Sequence, residues 1–315
     1  MFALSNRRGF SAISGVMVLV FALTSSPLMT LALERATVCD ASGKLVKVKT
    51  NVSRIVSLAP NLTEMLFAMG LGDKVVGVSS ASDFPPAVKN LPKVGQFTAV
   101  SVEKIVSLRP DIVIATMDGN SQTDVEKLRS LNVEVFCIFP NSVAGLLDSI
   151  NQLGMVLSCK RQAEKLVQNM QLAIGSVSSK ARTLAKSKPK PKVLIALDLN
   201  PLVSASGQTF LGELVELAGG NNVVGGSSIR YPRLNLESIV ALAPEVILVT
   251  GHGCEKALLK EVQEIKKWRG VPAVVNGRVY LLDPDLVTRP GPRIAGGLAL
   301  IHERLYAQAP ERRTK

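Results

Sequence analysis

A fourteen-residue segment that occurs twice, once in each half of the chain, most constrains the fold. Residues Glu103–Thr116 align without gaps to Glu237–Thr250, with identity at six positions and Asp111 matched by Glu245. Each copy reads as a short helix beginning at the glutamate, a proline turn and an entirely apolar strand. The copies begin 134 residues apart (237 − 103), too far for the stacked units of a solenoid. The repeat therefore predicts two α/β lobes of similar build.

The first half alternates predicted strands and helices, which is typical of parallel sheets. A hairpin-like segment, Ala36–Val48, is followed by the apolar run Arg54–Pro60, which reads as a buried strand. We expect the next helix to be capped by Asn61 or Thr63, whose side-chain oxygens can accept an orphaned amide. Lys74–Val78 then forms the next strand.

Between the halves, residues 143–186 lack proline and carry apolar side chains at helical spacing. This pattern predicts one long rigid helix, or two helices end to end, between the lobes. The Lys/Pro-rich stretch that follows reads as a solvated linker. The predicted boundaries are an N-terminal α/β lobe over 33–142, a linking helix over 143–188 and a C-terminal α/β lobe over 189–315, each lobe with a mainly parallel sheet flanked by helices.

Residues 1–32 read as a secretory signal peptide. Arg7 and Arg8 precede the apolar run Ala12–Leu23, and a small-x-small cleavage site ends at Ala32. The apolar run is too short for a good membrane-spanning helix. The paired arginines also resemble the twin-arginine export pattern, so the export route stays open. We expect an exported, periplasmic protein.

The four cysteines are scattered and form no CxxC pair, which excludes a zinc ribbon or a thioredoxin-type redox site. Cys39 follows Val38, which fits a lipoprotein box poorly, so a soluble protein is expected rather than a lipid-anchored one. Disulfides are allowed in an oxidising compartment, but the pairing cannot be deduced and free thiols are as consistent.

Composition and charge exclude several classes of function. Aromatic residues make up only 4% of the chain, which argues against a stacking platform for single-stranded nucleic acid. The formal charge of +12 comes without a long Lys/Arg block, so we expect no nucleic-acid partner. The two histidines, His252 and His302, exclude a site with three His ligands. No nucleophile–base pair, phosphate-cradling loop or metal-ligand cluster stands out in the sequence, so we expect no enzyme.

Several motifs follow one another over roughly residues 50–308: Arg54–Glu64, Gly77–Pro86, Pro92–Gly95, Glu103–Ala115, Leu217–Asn221, Tyr231-Pro232 and Pro290–Ile294. In this order they resemble the helical-backbone class of periplasmic substrate-binding proteins. The resemblance implies a two-lobed carrier that takes cobalamin, haem or a ferric siderophore in the cleft and docks on the permease of an ABC importer. Ser82–Pro86, Asp118–Asn120 and Tyr231-Pro232 look most like motifs of vitamin B12-binding proteins.

The resemblance implies a monomer without an intrinsic cofactor whose cleft is lined by the loops after the strands. The candidate ligand-binding residues are Phe84, Gln96, Phe97, Asp118, Asn120, Asp198, Asn200, Tyr231, His252 and Arg289.

The aromatic candidates can offer flat apolar faces to a corrin or porphyrin, or each can pack within its own lobe. Arg289 could meet a phosphate or carboxylate, or pair with Asp283 or Asp285. No resident metal is expected, although His252 or Tyr231 could be an axial ligand to the metal of a bound chelate. His302 and Arg293, in the last predicted helix, are expected to be structural.

Glu103 and Glu237 occupy equivalent positions at the start of the repeated helix. A carboxylate there interacts favourably with the positive end of the helix dipole. The resemblance adds a second role, because the matching glutamates of the family pair with arginines of the permease. We expect both roles together, with one glutamate on each lobe.

The expected function is therefore capture of cobalamin or a related corrinoid and its delivery to an ABC importer. A haem or ferric-siderophore carrier of the same class is the first alternative. A two-lobed enzyme of related architecture and a sensor-type binding module are more distant ones.

Overall fold

The computed structural model, which describes residues 35–199, 201–250 and 255–307, contains a four-stranded parallel sheet in each half of the chain. The strands are β1 (Arg35–Cys39), β2 (Leu45–Lys49), β3 (Ile55–Ser57), β4 (Val75–Val78), β5 (Gly95–Gln96), β6 (Ala99–Val100), β7 (Ile112–Thr116), β8 (Val135–Ile138), β9 (Lys192–Ala196), β10 (Asp198–Leu199), β11 (Leu202–Val203), β12 (Asn221–Asn222), β13 (Val246–Val249) and β14 (Val279–Leu281).

The helices cover the sheets and connect the two halves. They are α1 (Pro60–Ala68), α2 (Val102–Ser107), α3 (Gln122–Ser130), α4 (Val143–Val156), α5 (Lys160–Leu184), α6 (Phe210–Leu217), α7 (Leu236–Leu242), α8 (Glu255–Ile265), α9 (Pro272–Val275), α10 (Pro284–Val287) and α11 (Ile294–Tyr306).

The strand order is β4-β3-β7-β8 in the first sheet and β12-β9-β13-β14 in the second. Every neighbouring pair in both sheets is parallel. The repeated segment supplies an inner strand to each sheet, β7 and β13, and all their side chains are buried. The predicted α/β class with two mainly parallel lobes is confirmed, and the predicted hairpin is present as the antiparallel pair β1 and β2.

The two copies of the repeat also build the same local contacts. Their helices are capped by Ser101 and Asn235, whose side chains accept from the backbone amide three residues later. Asp111 accepts from the amide of Arg54 at 3.0 Å, while its own amide donates to the Arg54 carbonyl. Glu245 makes the same two bonds with Lys192. In each lobe, the acidic residue after the proline therefore hydrogen-bonds the start of the inner strand to the start of the neighbouring strand.

The cap of α1 differs from the prediction. The helix begins at Pro60, with Ala59 at the N-cap and no side-chain cap, because a proline needs no amide partner in the first turn. Thr63 lies inside the helix and its hydroxyl lies 2.8 Å from the Ser57 hydroxyl. Asn61, also inside the helix, donates to the carbonyl of Pro290 at 3.2 Å.

The link between the lobes consists of two helices rather than one. The chain turns between α4 and α5 at Ser158, which has φ +55°. The helices lie close together where Gly154 faces Ala163, since a Cβ at Gly154 would overlap the Ala163 methyl group.

One hydrophobic core extends from the first sheet through α4 and α5 into the second lobe. Its members include Ile55 and Leu62 in the first lobe, Ile150 in α4, and Val193 and Leu298 in the second lobe. The linking helices are therefore part of this core, which we call the main core, and do not merely connect two separate cores. Among the residues described, no helix combines the length and apolar character needed to cross a membrane.

Candidate functional site

Exposed aromatic and aliphatic side chains follow the carboxyl ends of three parallel strands in the first lobe. Phe84 follows β4 and is 41% exposed, and Met117 and Phe139 follow β7 and β8. On the second lobe, Tyr231 is 49% exposed and lies beside β11, because Ser204 donates to the carbonyl of the neighbouring Pro232. Ligands of α/β proteins bind at the carboxyl ends of parallel strands and between domains. The exposed apolar side chains are therefore candidates for contact with a ligand.

Phe84 marks the place where the lobes meet. The guanidinium carbon of Arg293, in the second lobe, lies 4.4 Å from the centroid of the Phe84 ring. The same guanidinium donates to both carboxylate oxygens of Glu64 in α1, at 2.9 and 2.6 Å. The side chain of Glu64 is only 3% exposed, and hydrogen bonding to this carboxylate raises the pKa of Arg293. Arg293 thus joins the two lobes, as a residue with a structural role would, and that role stays a prediction.

Arg289 makes a second set of contacts between the lobes. Its guanidinium lies 2.8 Å from Asp83 of the first lobe, 2.7 Å from Asp285 and 3.7 Å from Glu64. Together with Arg293 these residues form what we call the inter-lobe ion cluster. Its three carboxylates and two guanidinium groups leave a formal charge of −1. Of the two roles considered for Arg289, the structure provides the pairing with Asp285, while a ligand contact stays a prediction.

Two carboxyl groups of the inter-lobe ion cluster, those of Asp83 and Asp285, have pKa values shifted in opposite directions. Burial by itself raises the pKa of Asp83, but the hydrogen bond and charge of Arg289 outweigh it and hold the pKa below its ordinary value. Burial also raises the pKa of Asp285, and there the charge of Arg289 does not compensate. Asp83 is therefore the carboxylate that Arg289 stabilises most clearly in its charged form.

Asn120 ties together three loops of the first lobe. Its Nδ2 donates to the carbonyls of Leu58 and Phe97, at 3.0 and 2.6 Å, and its Oδ1 accepts from the amide of Thr116 at 2.8 Å. The ring of Phe97 is half-buried and packs beside Gly119. Asn120 therefore uses its amide to shape the candidate site, and a direct ligand contact stays a prediction for both Asn120 and Phe97.

The remaining predicted ligand residues divide into exposed and undescribed ones. Gln96 and Asp118 are exposed in the first lobe, and Asp198 is exposed at β10 of the second. Asn200 and His252 lie outside the described residues, so the axial role considered for His252 stays a prediction. His302, by contrast, hydrogen-bonds with the Ala218 carbonyl at 2.9 Å, which confirms its structural role.

The cysteines that the structure describes, Cys39, Cys137 and Cys159, are free. Burial raises the pKa of the Cys137 thiol to about 12, so this thiol stays protonated and unreactive at neutral pH. Within the described ranges, no group of three or more His, Cys, Asp or Glu side chains could hold a metal ion.

Glu103 and Glu237 are exposed, one on each lobe, and each is the second residue of its helix. The backbone amide of Glu103 and the Ser101 hydroxyl, which donates at 3.3 Å, lower the pKa of Glu103. Glu103 is therefore ionised at neutral pH. The arrangement presents matched negative charges on the two lobes, as the repeat predicted.

Glu64 and Asp83 are functional candidates that the sequence analysis did not single out. Glu64 lies in an apolar helix and reads as an ordinary helix residue. The one signal in the sequence is that Glu64 is the charged residue of an otherwise uncharged helix, and the structure shows that this helix is buried. Carboxylates are rarely buried without a cationic partner, so a buried glutamate implies an arginine or lysine from elsewhere in the chain.

Residues 55–286 match the family model for periplasmic binding proteins. The chain belongs to the periplasmic binding protein family. This binding protein is 33% identical over 274 residues to an uncharacterized ABC transporter substrate-binding lipoprotein, YvrC, of Bacillus subtilis strain 168, with 86% of this chain and 85% of the relative covered. It is 30% identical over 246 residues to the vitamin B12-binding protein of Vibrio vulnificus strain CMCP6, with 77% and 86% covered.

Solved structures of periplasmic binding proteins superimpose on most of this binding protein. The vitamin B12-binding protein BtuF of Vibrio cholerae has a TM-score of 0.70 at 27% identity, with 81% of this chain and 96% of that chain covered. The haem-binding protein RhuT of Roseiflexus sp. RS-1, solved in its apo form, has a TM-score of 0.73 at 27% identity, with 82% and 100% covered. This binding protein therefore serves an ABC importer, with a ligand and a membrane permease as its partners.

Proposed function

We propose that this binding protein captures cobalamin or a related corrinoid between its lobes and delivers it to an ABC importer. The observation that carries the proposal is the pair of half-exposed aromatic rings, Phe84 on the first lobe and Tyr231 on the second. A large macrocycle with apolar faces can bury both rings at once. The relatives named as vitamin B12-binding proteins support the same ligand.

The charge of the inter-lobe ion cluster separates corrinoids from haem. The cluster lies against the Phe84 ring and carries one carboxylate more than it has guanidinium groups. Haem carries two carboxylates on its periphery, and like charges at short range disfavour binding. The periphery of a corrin carries uncharged carboxamides, which such a cluster does not repel.

Haem is the second candidate, because Tyr231 is exposed enough for its phenol to reach the iron of a bound porphyrin. The likeness to the haem-binding protein RhuT supports this alternative. In that case the cluster would lie away from the propionates of the haem.

Titration of the purified protein with cyanocobalamin, haemin and a ferric siderophore, followed by calorimetry and absorbance, tests the proposal. Tight one-to-one binding of cobalamin without a comparable response to haemin is the expected result. Haemin binding with a shift of the Soret band, and no heat with cobalamin, would replace cobalamin by haem. Binding of the siderophore alone would contradict both assignments.

The docking of this binding protein on its permease is proposed to use Glu103 and Glu237. Both are exposed and occupy equivalent places on the two lobes. Two anions at a fixed spacing can meet two cations of a permease in one orientation, and complementary charges accelerate such encounters.

A soluble periplasmic form is proposed rather than a lipid-anchored one. Lipid attachment at Cys39 would make this cysteine the first residue of the mature chain and remove residues 35–38. These residues pair with β2, for example Val38 with Val46, and Val38 packs against the main core. Fractionation of cells that express the natural protein and its Cys39→Ser variant tests this: both should stay in the soluble fraction, and release caused by the substitution would show an anchor.

A further inference from the structure

The Phe84 ring belongs to the first lobe but is contacted by a side chain of the second. Arg293, which directly precedes α11, places its guanidinium 4.4 Å from the ring centroid. The ring is nevertheless 41% exposed. One part of the ring is thus covered by a cation, while another part is open to a ligand.

The position of the Arg293 guanidinium is set by the first lobe. Two hydrogen bonds, 2.9 and 2.6 Å long, join it to Glu64. Glu64 cannot move easily because its neighbours in α1, Met65 and Leu66, are fully buried in the main core. A planar guanidinium held by both carboxylate oxygens has a fixed plane as well as a fixed position.

The residues that precede Arg293 are also held to the first lobe. Asn61 donates to the Pro290 carbonyl at 3.2 Å, and Arg289 pairs with Asp83 at 2.8 Å, next to Phe84 in the chain. Arg293 itself belongs to the second lobe, so a separation of the lobes would have to break these contacts and would take the guanidinium away from the Phe84 ring.

From these contacts we propose that Arg293 is a positioning residue for the ligand: held by Glu64, it fixes the Phe84 ring and couples its orientation to the separation of the lobes. The proposal rests on the proposed function, in which Phe84 contacts the ligand. Arg293 itself is directed to Glu64 and Phe84, and acts on the ligand through the ring.

The affinity for cyanocobalamin of Arg293→Lys, Phe84→Ala and the double variant tests this proposal. Lysine keeps the positive charge, but its ammonium group is not planar. It cannot donate two parallel hydrogen bonds to the Glu64 carboxylate while stacking on the Phe84 ring. We expect Arg293→Lys to weaken binding roughly fivefold, in line with the strength of a cation–π contact. In the Phe84→Ala background the same substitution should have no further effect. An equal loss in both backgrounds, or unchanged affinity in the first, would overturn the proposal.

Arg129→Lys is the matched control. Arg129 also pairs with a buried carboxylate at 2.6 Å, that of Asp40, but within the first lobe and away from Phe84. This variant should lower the melting temperature and leave the affinity for cyanocobalamin unchanged. If it weakens binding as much as Arg293→Lys does, the effect is one of general stability and positioning by Arg293 is disproved.

A ligand-free measurement separates this proposal from the proposed function. Fluorinated phenylalanine gives each ring a fluorine resonance, and the one that disappears in Phe84→Ala reports on Phe84. This resonance should shift in Arg293→Lys and in Glu64→Gln and stay in place in Arg129→Lys. A wild-type protein that binds none of the three ligands would refute the proposed function, while an unmoved resonance would refute positioning.

Discussion

Asp111 shows how much one side chain of the repeat contributes to a lobe. Its carboxylate accepts from Lys49 at 2.6 Å, from the amide and hydroxyl of Ser53, both at 2.9 Å, and from the amide of Arg54. Burial alone would raise the pKa of Asp111, but these hydrogen bonds hold it far below the ordinary value of 3.8. The matched Glu245 is exposed and accepts only from Lys192 among the side-chain bonds described.

We predict that Asp111→Asn lowers the free energy of unfolding at neutral pH by about 2 kcal/mol, because hydrogen bonds to a charged acceptor are lost. The pKa of the folded aspartate lies below that of the unfolded one. Its stabilisation is therefore complete above the unfolded pKa and disappears as the pH falls through the folded one. The difference between the natural protein and the variant should shrink from about pH 5 to pH 2 in denaturant titrations.

Glu245→Gln is the matched control for Asp111→Asn, and its effect should be well below that of the first substitution. Equal losses from the two variants at neutral pH would contradict the argument. So would a difference between Asp111→Asn and the natural protein that does not change with pH.

Tyr231 is the residue at which the two candidate ligands can be told apart. Tyr231→Ala should weaken cobalamin binding by about 1 kcal/mol, the scale of one aromatic contact. Tyr231→Phe keeps the ring and removes the phenol, so it should leave cobalamin binding unchanged in calorimetry. A haem carrier that uses the phenol as an axial ligand would instead show an altered Soret band in Tyr231→Phe. Unchanged affinity for every ligand in Tyr231→Ala would remove this residue from the site.

At the scale of single residues, the sequence predicts what kind of role a residue has better than it predicts which residue it contacts. The paired glutamates and the exposed aromatic residues could be named because they stand in recognisable patterns. The Arg293–Glu64 pair could not, because its members lie 229 positions apart and nothing local to either residue specifies the other. The bond of Asn61 to the Pro290 carbonyl could not be predicted for the same reason, because Pro290 belongs to the other lobe.

The elements of the fold were predictable where apolar periodicity is strong. The repeated helix–turn–strand segment, the strands around Val56 and Val76 and the long helical region all form as expected. The division of the linking region into α4 and α5 was left open, because Leu157–Cys159 carries no proline or glycine to mark the turn. Ser158 adopts a left-handed conformation at this turn.

Two glycines test the packing of α4 against α5. A Cβ at Gly154 would overlap Ala163, whereas a Cβ at Gly175 in α5 would have no neighbour within 4 Å. Gly154→Ala should therefore lower the free energy of unfolding by about 1–3 kcal/mol through overpacking. Gly175→Ala should raise it by up to about 1 kcal/mol, because alanine favours the helix. Thermal and denaturant unfolding measure both, and a gain in stability from Gly154→Ala would contradict the close contact.

At the scale of the molecule, the two lobes share one hydrophobic core through α4 and α5. A shared core resists independent movement of its parts, because packed interiors deform little. The described residues from Arg35 onward accordingly group as a single compact unit. This arrangement predicts that closure motions between the lobes are small.

The proposed docking role also belongs to the scale of the whole molecule, because it needs one negative charge on each lobe. Reversal of both charges tests it. The double variant Glu103→Lys/Glu237→Lys should retain the natural affinity for the ligand and lose ligand uptake in cells. Either single variant should retain part of the uptake, since one anion would still meet its partner. An equal loss of ligand affinity in the double variant would contradict a docking role, and so would normal uptake.

The contacts at Arg289–Arg293 have a consequence for the order in which the candidate site is assembled. The first lobe and both linking helices precede these residues in the chain, and the complete second sheet does as well. During synthesis the residues that form both sheets therefore emerge first, while Glu64 and Phe84 still lack the arginine that contacts them. A chain interrupted shortly before residue 289 would retain every strand described here and lack the contact that closes the two lobes on each other. A segment that is synthesised after both sheets thus completes the candidate site.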